Sequence, residues 1–324
     1  MKKMKVFFLV ALLLLTVGAA NAQDYPTKPV RLLIPFAPGG ASDVVARLIV
    51  PGLSKELGQQ VAIDNRDGAS GNVGMEIAAR APADGYTVLL GNIGTMAINP
   101  GLFPKLSVKP VRDLIAMTQV VDVPTALVIH PSLQVKNVKE FIEYAKANPH
   151  KLDFGTAGPG ANGRLEMELF MRATGIDLVH VPYKGGAGAS AIGLLGGEVK
   201  CAFTTLASVM THINAGKLKV LAVAAPKRVQ SLPDVPVFPE LGFKNMKSGS
   251  WQGAYVPAGT PAAVVKKLYT ALTKVMADPG VIKRLQDAGA VAVVSGSPEE
   301  FGAFMKEEND KWAKIIKDVG VVMD

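Results

Sequence analysis

From Pro29 onward the chain changes period again and again: a short β-branched or apolar run, a turn, then a stretch whose apolar residues recur three and four apart. The runs are too short for helices and the periodic stretches too long for strands. Helices layered on a largely parallel sheet satisfy both, so the expected class is α/β. "PVRLLIPF", "QQVAIDN" and "YTVLLGN" read as strands, separated by the helices "SDVVARLIVPGLSKEL" and "NVGMEIAARA". A second series begins with the strand "TALVIHP" and the helix "VKEFIEYAKAN", which Asn137 and Glu140 open as a capping box. The strand "LDFGTA", a helix ended by Gly175, the strand "DLVHVPY", the helix "ASAIGLLGG" and the strand "KVLAVAA" follow. Between Pro226 and Lys247 proline and turn residues break the pattern, which suits a crossing between lobes. The tail adds amphipathic helices, one with Thr260 as cap and one opened by a Ser297/Glu300 capping box. We therefore expect lobe 1 to be built from residues 23–122 and 226–324, and lobe 2 from 123–225.

The first residues, "MKKMKVFFLVALLLLTVGAANAQ", place Lys2, Lys3 and Lys5 before an apolar run too short to span a bilayer, then end in small residues. They read as a secretory signal peptide, residues 1–22, cleaved after Ala22. No cysteine follows that site to carry a lipid, and no later run is apolar enough to cross a membrane, so the expected location is outside the cytoplasm, in soluble form. Removing the three leader lysines takes the formal charge from +8 to +5, a modest excess that favours anionic partners. The basic residues are scattered without interleaved aromatics, which argues against nucleic acid as a partner. Cys201 is the only cysteine, so no internal disulfide is possible, and its apolar setting reads as a buried, inert thiol.

Signals of catalysis are sparse. GxSxG, HExxH, GxxxxGK[ST] and CxxC are all absent, and the four histidines lack metal-ligand spacing, so neither an enzyme, a metal site nor a cofactor is expected. Gly158, Gly160 and Gly163 do match GxGxxG. A dinucleotide site also needs an acidic residue at the end of the second strand, and Asp177 begins that strand instead. What survives is the physics beneath the motif: a glycine turn running into a helix lets backbone N–H groups converge on an anion. "PFAPGGASDVVAR" offers the same device in the other lobe, with Ser42 or Asp43 as helix cap, although such a turn also occurs with no ligand at all. Two such turns, each at a strand's carboxyl end and one per lobe, describe a clamp for a small anion.

Stretches covering nearly the whole mature chain carry a resemblance: "PFAPGGASDVVARLI", "VAIDNRDGASGNVG", "APADGYTVLLGNIGTMAINPGLF", "FGTAGPGANGRLEMELF", "VHVPYKGGAGASAIGLLGGEV", "SLPDVPVFPELG" and "YVPAGTP". In them the chain resembles the Bug-type periplasmic solute-binding proteins, extracytoplasmic receptors of tripartite tricarboxylate transporters. The resemblance implies a type II periplasmic binding protein, a Venus flytrap of two α/β lobes with the ligand cleft between them. It implies a monomer that captures a small carboxylate and hands it to membrane permease subunits; a sensory module presenting its ligand to a membrane kinase is the alternative. The implied site has one loop from Phe36 to Asp43, with Gly39, Gly40 and Ala41 as amide donors. A facing loop runs from Thr156 to Asn162, with the Thr156 hydroxyl and the amides around Gly160 and Ala161. Asn92, Thr95, Tyr183, Lys184, Gly185 and Gly186 are the implied wall. Ala161 and Arg164 depart from the family's usual serine and histidine. Arg164 either turns to solvent or adds a carboxylate contact, Lys184 either reaches the ligand or steers anions from the rim, and Trp251 and Phe36 either wall the cleft or fill the core.

Overall fold

The computed structural model describes residues 25–246 and 249–319, so the expected leader lies outside the described residues. The chain runs β1 (Val30–Ile34), α1 (Ala41–Leu57), β2 (Val61–Asn65), α2 (Asn72–Ala79), β3 (Thr87–Asn92) and a π-helical turn (Gly94–Ile98). Then come β4 (Leu114–Ile129), α3 (Val138–Ala147), β5 (Asp153–Thr156), α4 (Asn162–Thr174), β6 (Val179–Pro182), α5 (Ala187–Leu195), β7 (Cys201–Thr205), α6 (Leu206–Asn214) and β8 (Lys219–Ala224). β9 (Gly249–Pro257), α7 (Ala262–Met276), α8 (Pro279–Asp287), β10 (Val291–Ala292) and α9 (Pro298–Val319) complete it.

The strands form one ten-stranded sheet in the order β2-β1-β3-β9-β4-β7-β5-β6, with β8 and β10 beside β4. β4 is the spine. Its residues Leu114–Pro124 pair with β9, and Thr125–Ile129 pair with β7 and β8, so one strand belongs to both lobes. The βαβ units are parallel, as expected, whereas β4 and β9 run antiparallel to their neighbours. Each half has its own apolar clusters: Leu32, Val45, Val121 and Leu268 share one, and Leu127, Phe154, Phe170 and Phe203 share another. The capping boxes form in part as expected, since Asn137 Oδ1 accepts from the Glu140 N–H at 2.9 Å and Ser297 Oγ from the Glu300 N–H at 3.2 Å.

Two expectations change and one open alternative resolves. The segment after Pro226 is a packed part of the second lobe, because Phe238 stacks on Phe203 at 5.3 Å and meets Phe170 at 5.6 Å. The return to lobe 1 therefore comes at the start of β9, not at 226. Thr260 does not cap α7, since its hydroxyl donates to the Pro257 carbonyl and Pro261 takes the cap position. Trp251 is a core residue: its Nε1 donates to Glu308 Oε2 at 2.8 Å, and Phe304 stands edge-on at 5.5 Å.

Candidate functional site

β1 ends in the turn Pro35–Gly40, which enters α1. Gly39 lies at φ +87°, a conformation that suits glycine. The turn is held from behind: Asp43 accepts from the Gly39 N–H at 3.0 Å, from Arg47 Nε and Nη2 at 2.9 and 3.0 Å, and from Asn65 Nδ2 at 3.2 Å. Burial pulls the Asp43 carboxyl up, but the Arg47 guanidinium, the Gly39 N–H and the Asn65 amide outweigh it and hold it below its ordinary range. Asp43 thus stays anionic behind the turn. The side chain expected to touch a ligand instead positions the amides that face the cleft, and the helix cap at Gly40 has no side-chain acceptor.

The facing loop leaves β5 at Thr156 and enters α4 at Asn162, with Gly158 at φ +113°. Thr156 is buried and its Oγ1 lies 2.7 Å from His180 Nε2, while the Gly158 N–H donates to it at 3.2 Å. Burial, with Arg164 adding to it, lowers the His180 pKa to about 4, so the imidazole is neutral near pH 7. The Thr156 hydroxyl therefore braces the loop from beneath. Ala161's N–H is spent on the Gly158 carbonyl at 3.1 Å, which moves the free donors one and two residues on, to Asn162 and Gly163.

Two further helices aim at the same place. α5 starts at Ala187 behind Gly186, and α6 starts at Leu206 behind Thr205. Neither these two, nor α1, nor α4 has a side-chain hydrogen bond on its N-terminal amides. α3 and α8 are capped by Asn137 and Asp278, while α2 and α7 also lack a side-chain cap. The N-terminal ends of α1, α4, α5 and α6 meet at a cavity of about 70 Å³ between the lobes. Gly40, Ala41 and Ser42 of the first, Asn162 and Gly163 of the second, Ala187 of the third and Thr205 of the fourth stand on its wall, between the rings of Phe36 and Phe203. Not one residue of that wall carries a charged side chain.

Of the expected residues, Phe36, Gly40, Ala41, Asn92, Gly160, Ala161 and Asn162 line the cavity. The others are not part of its wall. Thr95 is buried and donates its N–H to Asn92 Oδ1 at 3.1 Å, starting the π-helical turn. Tyr183 donates its hydroxyl to Glu198 at 2.9 Å, and Lys184 is exposed. Gly185 and Gly186, at φ +88° and +85°, shape the entry to α5, and Arg164 lies 3.9 Å from Glu168 one helical turn on. Sequence reasoning missed Ser70, Thr125, Thr204, Thr205 and Ser250. Most are single hydroxyl residues inside strands or at strand ends, without a motif to mark them.

The lobes touch glycine to glycine across this cavity. A Cβ on Gly188 of α5 would lie 2.7 Å from the Pro38 carbonyl oxygen, and one on Gly160 would collide with Asn99 Oδ1 from the first lobe.

A curled, ten-stranded α/β sheet with two lobes and a small interlobe cavity walled by helix N-termini defines a periplasmic solute-binding protein. Residues 45–321 match the tripartite tricarboxylate transporter family receptor, and the chain belongs to that family. It is similar to protein BugT of Bordetella pertussis, 31% identical over 99% of each chain. Among solved structures it is similar to the periplasmic binding protein BugD, with 35% identity and a TM-score of 0.88 over 93% of this chain and all of that one. It is also similar to MatC of Rhodopseudomonas palustris, solved with bound malate, with 30% identity and a TM-score of 0.84 over 90% of this chain and all of that one.

Proposed function

We propose that the protein is a receptor that closes on a small carboxylate and delivers it to the membrane permease subunits of a tripartite tricarboxylate transporter, working as a monomer in the periplasm after cleavage at Ala22. One observation carries the carboxylate: four uncapped helix N-termini converge on a cavity whose wall has no charged side chain. Each end presents unpaired N–H groups and a positive partial charge, which a carboxylate satisfies without a counter-ion. Burial of an anion there requires that many donors, because a buried charge lacking them is expensive. The malate bound to MatC supports the ligand class, and the family description supports the transporter.

The test is thermal shift of the mature protein, unfolded and refolded to strip any carried ligand, against mono-, di- and tricarboxylates with nucleotides and phosphate as controls. A ligand at 100 times its Kd stabilises by about 2.7 kcal/mol, several degrees for a chain of this size. A shift confined to carboxylates is expected. Shifts with nucleotides only, or with nothing, would overturn the proposal.

A further inference from the structure

Gln252 lies in the centre of β9, fully buried, and neither its Oε1 nor its Nε2 has a hydrogen-bond partner among the described residues. Its place in the sheet says where that amide goes. Gln252 is paired with Asn92 of β3 on one side and Val121 of β4 on the other, and opposed residues of antiparallel strands share a face. Ser250, two residues back along β9, shares the face as well. Asn92 and Ser250 both stand on the cavity wall, and so does Ser42, in the first turn of the helix that covers this face. The register therefore puts Gln252 on the same sheet face as two wall residues, Asn92 and Ser250, while Gln252 itself is buried and not part of the wall. The next residue on that face, Ala254, is part of the apolar core with Leu90 and Val45, where an unpaired amide would be pure cost.

We propose that Gln252 is a specificity-determining residue: its amide exchanges hydrogen bonds with an oxygen-bearing group at the far end of the bound carboxylate, so the site takes hydroxy- or dicarboxylic acids over plain alkyl acids. The inference rests on the carboxylate reading above and adds the other half of the ligand to it. An alkyl tail leaves both amide atoms unmet, whereas a hydroxyl or second carboxylate satisfies at least one. The difference between a met and an unmet buried group corresponds to roughly 5- to 150-fold in affinity.

The experiment is calorimetric titration of wild type, Q252M and Q252E with L-malate, succinate and butyrate, four-carbon acids that differ at one end. Wild type should prefer malate or succinate to butyrate by at least about tenfold. Q252M should bring that ratio close to one while the ligand-free Tm holds or rises, because an unpaired polar group has been replaced by an apolar one of similar length. Q252E should weaken malate and succinate while leaving butyrate little changed, and it carries the test if Q252M fails to fold. An unchanged ratio in folded Q252M overturns this inference alone. Wild type that binds none of the three acids overturns this inference, and failure across the whole carboxylate panel above overturns the carboxylate reading as well.

Discussion

Gly188→Ala separates closure of the lobes from folding of either one. Gly188 is the second residue of α5 and has no left-handed φ, so alanine is conformationally free there and improves helix propensity by about 1 kcal/mol. In the closed molecule the new Cβ would sit 2.7 Å from the Pro38 oxygen and 3.0 Å from Gly39 C and Gly40 N. Ordinary contact begins at 3.4 Å, so the lobes must part by the difference, 0.7 Å, at that point. The opposing backbone cannot yield, since Asp43 holds the Gly39 N–H and Asn65 holds the Phe36 carbonyl. A hydrogen bond of about 2.9 Å from one lobe to a ligand seated on the other then stretches to about 3.6 Å and is lost. One bond to a charged group is worth about 1.5–3 kcal/mol, or roughly 10- to 150-fold in Kd. Titration with the tightest carboxylate of the panel should show that loss, with the ligand-free Tm equal to or above wild type. Wild-type affinity in a folded Gly188→Ala protein would refute the reasoning, because the glycine contact would then play no part in the bound state.

Gly40→Asp supplies the side-chain cap that α1 lacks and places a carboxylate where the ligand's belongs. The ligand-free protein should gain a few tenths of a kcal/mol while titration detects no binding, and retained affinity would mean the anion sits elsewhere. Acid should loosen the second loop through His180. Its pKa is about 4 in the fold against 6.5 for the free side chain, so between those values the unfolded chain binds the extra proton, and stability is full above pH 6.5 and falls towards pH 4. His180 is only half-buried, which reduces the effect to about 1 kcal/mol, a Tm loss of a few degrees. Thermal melts of wild type and His180→Gln across pH 4 to 7 check it: the variant should lose that component, and parallel curves would remove His180 from the explanation.

The βα alternation was legible because each local signal agreed with the final structure. Gly58 and Gly175 stop α1 and α4 in the left-handed conformation, and Asn137 opens α3. β4 was not legible as one strand of 16 residues, because Pro124 interrupts it. The structure tolerates that proline because it marks the end of pairing with β9, immediately before the strand changes partners to β7 and β8. The segment after Pro226 misled for the opposite reason. Its prolines and turns read as a crossing, while Phe238 and Phe243, too far apart for either period, anchor it in the second core. At the site, glycines announced the turns. Which polar neighbours face the cavity was hidden, because Asp43, Thr156 and Tyr183 lie beside the motifs yet spend their groups on the scaffold. Thr125, Thr204 and Ser250 reach the wall only through the meeting of β4, β7 and β9.

A neutral wall has a consequence for how such a receptor would signal. With no arginine or lysine on it, neither lobe alone holds a full counter-charge; each offers partial charges at the ends of its helices, α1 from one side and α4, α5 and α6 from the other. A carboxylate resting on the second lobe in the open form meets three of the four helix ends but keeps much of its water, which screens them. Closure adds the end of α1 and excludes the solvent that screens all four, so part of the binding free energy arrives with the change of shape. Occupancy and closure are then tied more tightly than they would be by a salt bridge, which would hold the ligand in the open lobe as well. A membrane partner that reads the closed shape would read occupancy, and an arginine placed on the wall, at Ala41 or Ala161, should raise affinity while uncoupling it from closure.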